Sequence, residues 1–265
     1  MSLSGPAELL PLEEYPQVED LVTEDDTPVD SIFSEKQQRL LTESLYSSWQ
    51  PESPFIALAN VGLFYALKKP PLVPNVLVSL DVTLPEDIWV KRHRSYFLWE
   101  YGKPPEVVIE IVPNQKGHEL EHKLKEYALI GIPYYVVLDP EQQLSPNLLH
   151  CYQLNHLGYV EMTKPWLPKV GLGLQLWEGL YEEREETWLR WIDSSGNLIL
   201  TGAEQAQQAQ KRVEQQRAEQ AEQRSEQAEQ RAEWAEQRAE RAKQRAEQLA
   251  DYLRTLGIDP NQINP

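Results

Sequence analysis

The stretch "PEVVIEIVPNQKGHELEHKLKEYALIGIPYYVVLDP", residues 105–140, decides the fold. Val107, Val108, Ile109, Ile111 and Val112 make a nearly unbroken β-branched run, the pattern of a strand covered on both faces. After the loop "PNQKG", Leu120, Leu124, Tyr127 and Ala128 recur at helical spacing, and Gly131 supplies a C-terminal stop. "PYYVVLDP" then reads as a second strand, closed by Asp139 and Pro140. Strand, helix and strand in direct succession predict a crossover connection, so at least part of the sheet is parallel.

Glu110 sits inside the first of these strands. An ionised carboxylate there is unfavourable without a cation. Lys123 and Lys125 lie on the very next helix, and Lys123 shares a face with Leu120 and Tyr127, so it can point inward. On the strand before, "LVPNVLVSLDV", Asn75 and Asp81 share parity. An Asn or Asp, a Glu and a Lys converging from strand, strand and helix suit a Mg²⁺ site with oxygen ligands, in which the lysine places or activates a water. A purely structural Glu–Lys pair accounts for Glu110 nearly as well.

Outward from this centre, Ser34 with Gln37 predicts a capped helix over "SEKQQRLLTESLYSSW". Short strands are expected at "FIALAN" and "VGLFYAL", and a mostly buried one over Val76 to Val82. Later pieces, "NLLHCYQL", "GYVEMT", "LGLQLWEGLY" and "TWLRWID", are joined by turn residues and read as antiparallel additions. The fold class is therefore α/β, a mixed sheet flanked by helices.

The net charge of −17 is uneven. Residues 1–35 hold ten Asp and Glu and no Lys or Arg, which makes an acidic arm expected to be largely disordered. Such a chain is not a generic polyanion binder. Its one basic cluster is "KRHR", Lys91 to Arg94, either a solvated loop or a phosphate contact. Cys151 is the only cysteine, which rules out an intramolecular disulfide and a thiolate zinc cage, and it reads as a core residue. His118 and His122 are at a metal-capable spacing in the stretch "HELEH", but the five histidines are not expected to form a zinc-like cluster. Trp166, Trp177, Trp188 and Trp191 read as core and rim. There is no P-loop, dinucleotide fingerprint or serine elbow. No signal-like segment and no long apolar run is present, so a cytoplasmic chain without a membrane partner is expected.

From about residue 203 the composition changes to Ala, Glu, Gln and Arg, repeating every seven residues. Positions 218, 225, 232, 239 and 246, with 221, 228, 235 and 242, are all Ala or Ser, and Leu249, Leu253 and Leu256 continue the seam. Arginines at 217, 224, 231, 238 and 245 fall at one heptad position. In a parallel pair Arg217, Arg224 and Arg231 meet Glu222, Glu229 and Glu236 of the partner, so a homo-oligomer or a partner helix is expected through residues 203–256. The expected organisation is an arm over 1–33, an α/β domain over 34–200, a heptad helix over 201–256 and a flexible end over 257–265.

Over roughly residues 34–200 the chain resembles the bacterial restriction-endonuclease-like proteins of the PD-(D/E)XK nuclease superfamily. "VPNVLVSLDV", "PPEVVIEIVPN" and "HKLKEYALIGIPYYVVLDP" carry the resemblance, the last most specifically. It implies a divalent-metal site, Mg²⁺ or Mn²⁺, that cleaves phosphodiester bonds in DNA. Glu110 matches the strand carboxylate and Lys123 the helix-borne lysine, since Val112 stands where the superfamily usually has lysine. The Pro–Asp pair that carries the first metal ligand is Pro74–Asn75 here, and "VPN" follows the strand where the family usually has a serine. The departure at Asn75 implies weak or lost cleavage, and hence an alternative role as a degenerate nuclease that acts as an assembly module through its tail.

Overall fold

The computed structural model describes residues 31–66, 69–112 and 119–257. The acidic arm through residue 30, the "PNQKG" loop, His118 and the end from residue 258 lie outside the described residues. Among the described residues the elements run α1 (Ile32–Ser48), β1 (Phe55–Ala59), β2 (Leu63–Phe64), β3 (Val76–Leu80), β4 (Tyr96–Phe97) and the short α2 (Leu98–Tyr101). Then come β5 (Val107–Ile111), α3 (Glu119–Ile130), β6 (Tyr134–Leu138), β7 (Leu149–Asn155), β8 (Gly158–Glu161), β9 (Trp166–Leu167), β10 (Leu172–Tyr181), β11 (Arg184–Ile192) and α4 (Gly202–Thr255).

The main sheet has strand order β1-β3-β5-β6-β7-β8. Its β5–β6 pair is parallel, with Val107 opposite Tyr134 and Ile111 opposite Leu138, and the neighbouring pairs are antiparallel. The sheet is therefore mixed, and the crossover through α3 is the one the sequence predicts. Every residue of β3, β5 and β6 is buried, which is why these segments read as apolar runs rather than alternating ones. Val107, Ile109 and Ile111 face Leu41 and Leu45 of α1 and Trp191 of β11. Val108 and Val112 face the other way, toward Tyr127 of α3 and Tyr96 of β4. Glu110 has the parity of this second set.

Three details differ from the sequence expectation. The cap of α1 is Ser31, whose Oγ accepts from the Ser34 amide at 3.0 Å. Both serines are competent caps. The earlier one is used because Phe33 must stack on Trp188, at 5.2 Å between ring centroids, and Gln37 must reach β11. The Gln37 amide, rather than closing a capping box, exchanges two hydrogen bonds with the backbone of Leu189, at 2.9 and 2.8 Å. Second, the late strands do not all extend one sheet: β7 and β8 do, whereas β9, β10 and β11 form a three-stranded sheet of their own. Third, Asp81 has left β3. It adopts φ 57°, is exposed, and donates its amide to the Pro54 carbonyl at 2.8 Å.

Cys151 is buried, and burial pushes its thiol up to about 12, so it is an inert core residue. Trp188 and Trp191 are buried, and Trp166 and Trp177 are partly so. No helix among the described residues is long and apolar enough to cross a membrane.

The chain falls into two units, up to Gln205 and from Ala206 onward. The first turn of α4 belongs to the first unit. Thr201 Oγ1 accepts from the Glu204 amide at 3.2 Å, and Glu204 Oε2 accepts from the Thr201 amide at 2.7 Å, a reciprocal capping box. The buried Arg190 grips the same Glu204 with two bonds, at 3.0 and 2.7 Å. Burial pushes the Glu204 carboxyl up, but Arg190 and Thr201 together outweigh it and hold the carboxyl below the usual carboxylate range. In the second unit the helix continues to Thr255 with no buried residue. The sequence pattern Thr-x-x-Glu at 201–204 was the signal for this start.

Candidate active site

The site is built on the C-terminal end of β5 and the inner face of α3. Glu110 is 3% exposed, and its two oxygens have different partners. Lys123 Nζ lies 3.0 Å from Oε2, and Tyr127 Oη donates to Oε1 at 2.6 Å. Lys123 and Tyr127 are four residues apart on α3, so both reach down one face of the helix. Burial, followed by the adjacent Glu110 charge, raises the Tyr127 phenol well above its usual value. Tyr127 is therefore a fixed donor at neutral pH. Lys123 points inward, as its position in the helical stripe predicts. The hydroxyl of Tyr127 is the member that sequence reasoning missed, because the residue reads as part of the apolar stripe.

Asn75 reaches the same end of the sheet by a different route. The last β3–β5 pair joins Val76 to Ile109. Two residues further along β5, the Ile111 amide has no β3 residue opposite it, and Asn75 Oδ1 accepts from it at 2.7 Å. Asn75 thus lies at the backbone of the residue next to Glu110 and prolongs the ladder with a side-chain carbonyl. Asp81 stands at the opposite end of β3 and plays no part here.

The outer edge of α3 is tied down by Glu126. Tyr65 Oη donates to its Oε2 at 2.6 Å and Lys69 Nζ lies 3.1 Å from the same atom. The Tyr65 bond, then that of Lys69, lowers the Glu126 carboxyl below its usual range. These contacts fasten α3 to the segment after β2 and so fix the height at which Lys123 and Tyr127 meet Glu110.

Among the described residues there is no group of three His, Cys, Asp or Glu able to hold a metal. Of the expected ligands, Glu110 offers one carboxylate and Asn75 one amide carbonyl, which already accepts from Ile111. Such a set suits a Mg²⁺-like cation that keeps most of its shell as water and substrate phosphate, and it holds such a cation weakly. His122 is exposed beside Glu126. Of the basic cluster, Lys91 to His93 form one 3-10 turn with no buried residue.

Two other features, a polar chain and a cleft, lie outside this site. Ser145 Oγ lies 2.9 Å from His150 Nε2, and His150 Nδ1 lies 2.7 Å from Glu161 Oε1, a serine–histidine–carboxylate chain. Its serine is occupied in a turn, accepting from the Asn147 amide at 2.9 Å. The adjacent amides of Gln143 and Leu144, which an oxyanion would require, donate to Asp139. The chain is a loop clasp. A cleft of about 360 Å³ at the ends of β5 and β6 opens on the face away from Glu110, between Phe33, Ile111, Leu138 and Leu176. Glu141 and Glu186 at its rim disfavour a phosphate there.

A family model described as "Uma2: Putative restriction endonuclease" matches residues 19–179. Among solved structures the chain is similar to one titled as a putative nuclease belonging to DUF820 from Anabaena variabilis, with 14% identity, a TM-score of 0.38, and coverage of 60% of this chain and 80% of that one. No curated protein matches.

Proposed function

The chain belongs to the Uma2 family of restriction-endonuclease-like proteins, and from that premise we propose that it is a divalent-metal-dependent endonuclease acting on DNA. One observation carries the reading: a carboxylate buried in the middle of a sheet is met at 3.0 Å by a lysine from the next helix. In this reading Glu110 and the Asn75 carbonyl hold Mg²⁺ or Mn²⁺, which when bound stabilises charge on the phosphate oxygens. Lys123 orients the attacking water and offsets negative charge beside it. Tyr127 keeps one Glu110 oxygen fixed, so that the other lone pairs face a constant direction.

The chain's own chemistry makes this a weak site. Glu110 is one carboxylate where two would balance a divalent cation, and the Asn75 oxygen already accepts from Ile111. Cleavage is therefore slow and favours Mn²⁺, which tolerates mixed ligands better than Mg²⁺. The test is cleavage of plasmid and single-stranded DNA with each metal, beside Glu110→Ala. Metal-dependent cutting that Glu110→Ala abolishes supports the reading. Cutting that survives Glu110→Ala removes it.

The Asn75–Ile111 bond also favours a second reading, in which the nuclease fold is catalytically degenerate and acts as a platform. Residues 203–256 then associate in parallel with a second copy or a partner helix, and the cytoplasm is the compartment. The uninterrupted α4 supports this reading. Full inactivity with both metals, together with self-association of the full chain, is its expected signature.

A further inference from the structure

We propose that the loop Trp89–Arg94 is a nucleic-acid contact, in which the Trp89 indole stacks on an unpaired base and Arg92 meets an adjoining phosphate. The inference rests on the nuclease reading of the Glu110 site and extends it to how the strand is held.

Trp89 is 77% exposed and follows Ile88, itself 52% exposed. Exposure of a single apolar residue means little. What sets this one apart is that its backbone is clamped while its ring is not covered. The Trp89 amide donates to Asp87 Oδ1 at 2.8 Å, and its carbonyl accepts from Arg94 Nε at 3.0 Å. The turn beyond it is closed by His93 N to Val90 O at 2.8 Å, and the His93 ring meets the Asp87 carbonyl. The loop therefore holds an indole outward on an ordered base, with little entropy left to lose on stacking.

Arg92 is exposed on the turn that follows, between Lys91 and His93. This is the densest run of cationic side chains in a chain of net charge −17. Glu86 and Asp87 precede it, so long-range attraction for a polyanion is small and affinity falls to the stack and one or two close phosphate contacts. A stacking aromatic with an adjacent cation is the sequence-tolerant way to hold a single strand. A duplex hides the base faces that Trp89 requires.

The loop leaves β3 at the end opposite Asn75 and returns at β4. Val82 at its start and Tyr96 at its end pack in one cluster with Leu77, Val108 and Tyr127, on the face of the sheet that carries α3 and Glu110, so a bound strand would run from the loop along that face to the site.

The experiment is fluorescence anisotropy of a labelled single-stranded oligonucleotide with the full chain, in EDTA, at a series of salt concentrations, beside a duplex of the same sequence. The wild type should bind the single strand more tightly than the duplex. Trp89→Ala should weaken that binding about tenfold, and Trp89→Phe should recover most of it. Arg92→Ala should reduce the slope of log affinity against log salt by about 0.7. Circular dichroism of each variant checks that the fold is kept. Binding of Trp89→Ala within about twofold of wild type, or no single-strand binding at all, overturns the proposal. Because no metal is present, either result leaves the cleavage test of Glu110 separately decidable.

Discussion

Asn75 Oδ1 accepts a hydrogen bond from the Ile111 amide at 2.7 Å, one residue along the strand from Glu110. The side chain thereby finishes the β-ladder beyond the last strand pair. An aspartate could make the same bond, since its carboxylate oxygen has the same place and is a better acceptor. Asparagine therefore keeps the architecture and drops the charge.

Asn75→Asp should leave stability within about 1 kcal/mol of wild type, because the bond to Ile111 is retained. It should raise affinity for Mg²⁺ and Mn²⁺ on the order of tenfold, by adding a charge beside Glu110. Asn75→Ala, by contrast, leaves the Ile111 amide unmatched and should cost about 1–2 kcal/mol. Calorimetric metal titration and urea unfolding of the two variants read these outcomes. Unchanged metal affinity in Asn75→Asp would show that position 75 is not a ligand.

Lys123→Met removes the ammonium that meets the buried Glu110 at 3.0 Å and should destabilise the fold by about 3 kcal/mol at neutral pH. Adding Glu110→Gln to it should restore much of that loss, since no charge is then left unpaired. A double-mutant cycle by denaturant unfolding measures the coupling, and additive effects would mean that the two side chains do not interact in solution.

Tyr127→Phe removes the bond to Glu110 Oε1 and should cost about 2 kcal/mol near pH 7. The folded-state pKa of Tyr127 is raised above its ordinary value near 10. The unfolded chain therefore releases this proton first as pH rises. The contribution of Tyr127 is complete below pH 10 and is lost above it. Urea midpoints at pH 8, 10 and 11 should fall along that series in the wild type, and less steeply in Tyr127→Phe.

The full chain should self-associate weakly through residues 203–256, a helix about 80 Å long. An Ala-rich seam buries little, about 0.8 kcal/mol for each methyl-sized group, and arginine–glutamate pairing supplies much of the rest. Association should therefore weaken as salt rises. Sedimentation at low and high salt tests this, and a monomer at high protein concentration in low salt counts against the parallel pair.

The sequence by itself determined the elements whose signal is local. The crossover from β5 through α3 to β6, the burial of the central strands on both faces, the left-handed stop at Gly131 and the inward aim of Lys123 all follow from periodicity along the chain. The family follows from the match over residues 19–179. Tertiary structure decided which partners these residues take. Gln37 could have closed a capping box, but it pairs with Leu189, 152 residues away. Tyr127 could have been only a core ring, but it lies under Glu110 Oε1. Asn75 could have been a free ligand, but the pairing with β3 stops at Ile109, two residues short of Ile111, and the side chain completes the ladder. A polar group takes the unmatched partner that the fold brings within about 3 Å, and contacts made across the chain leave no periodic trace in the sequence.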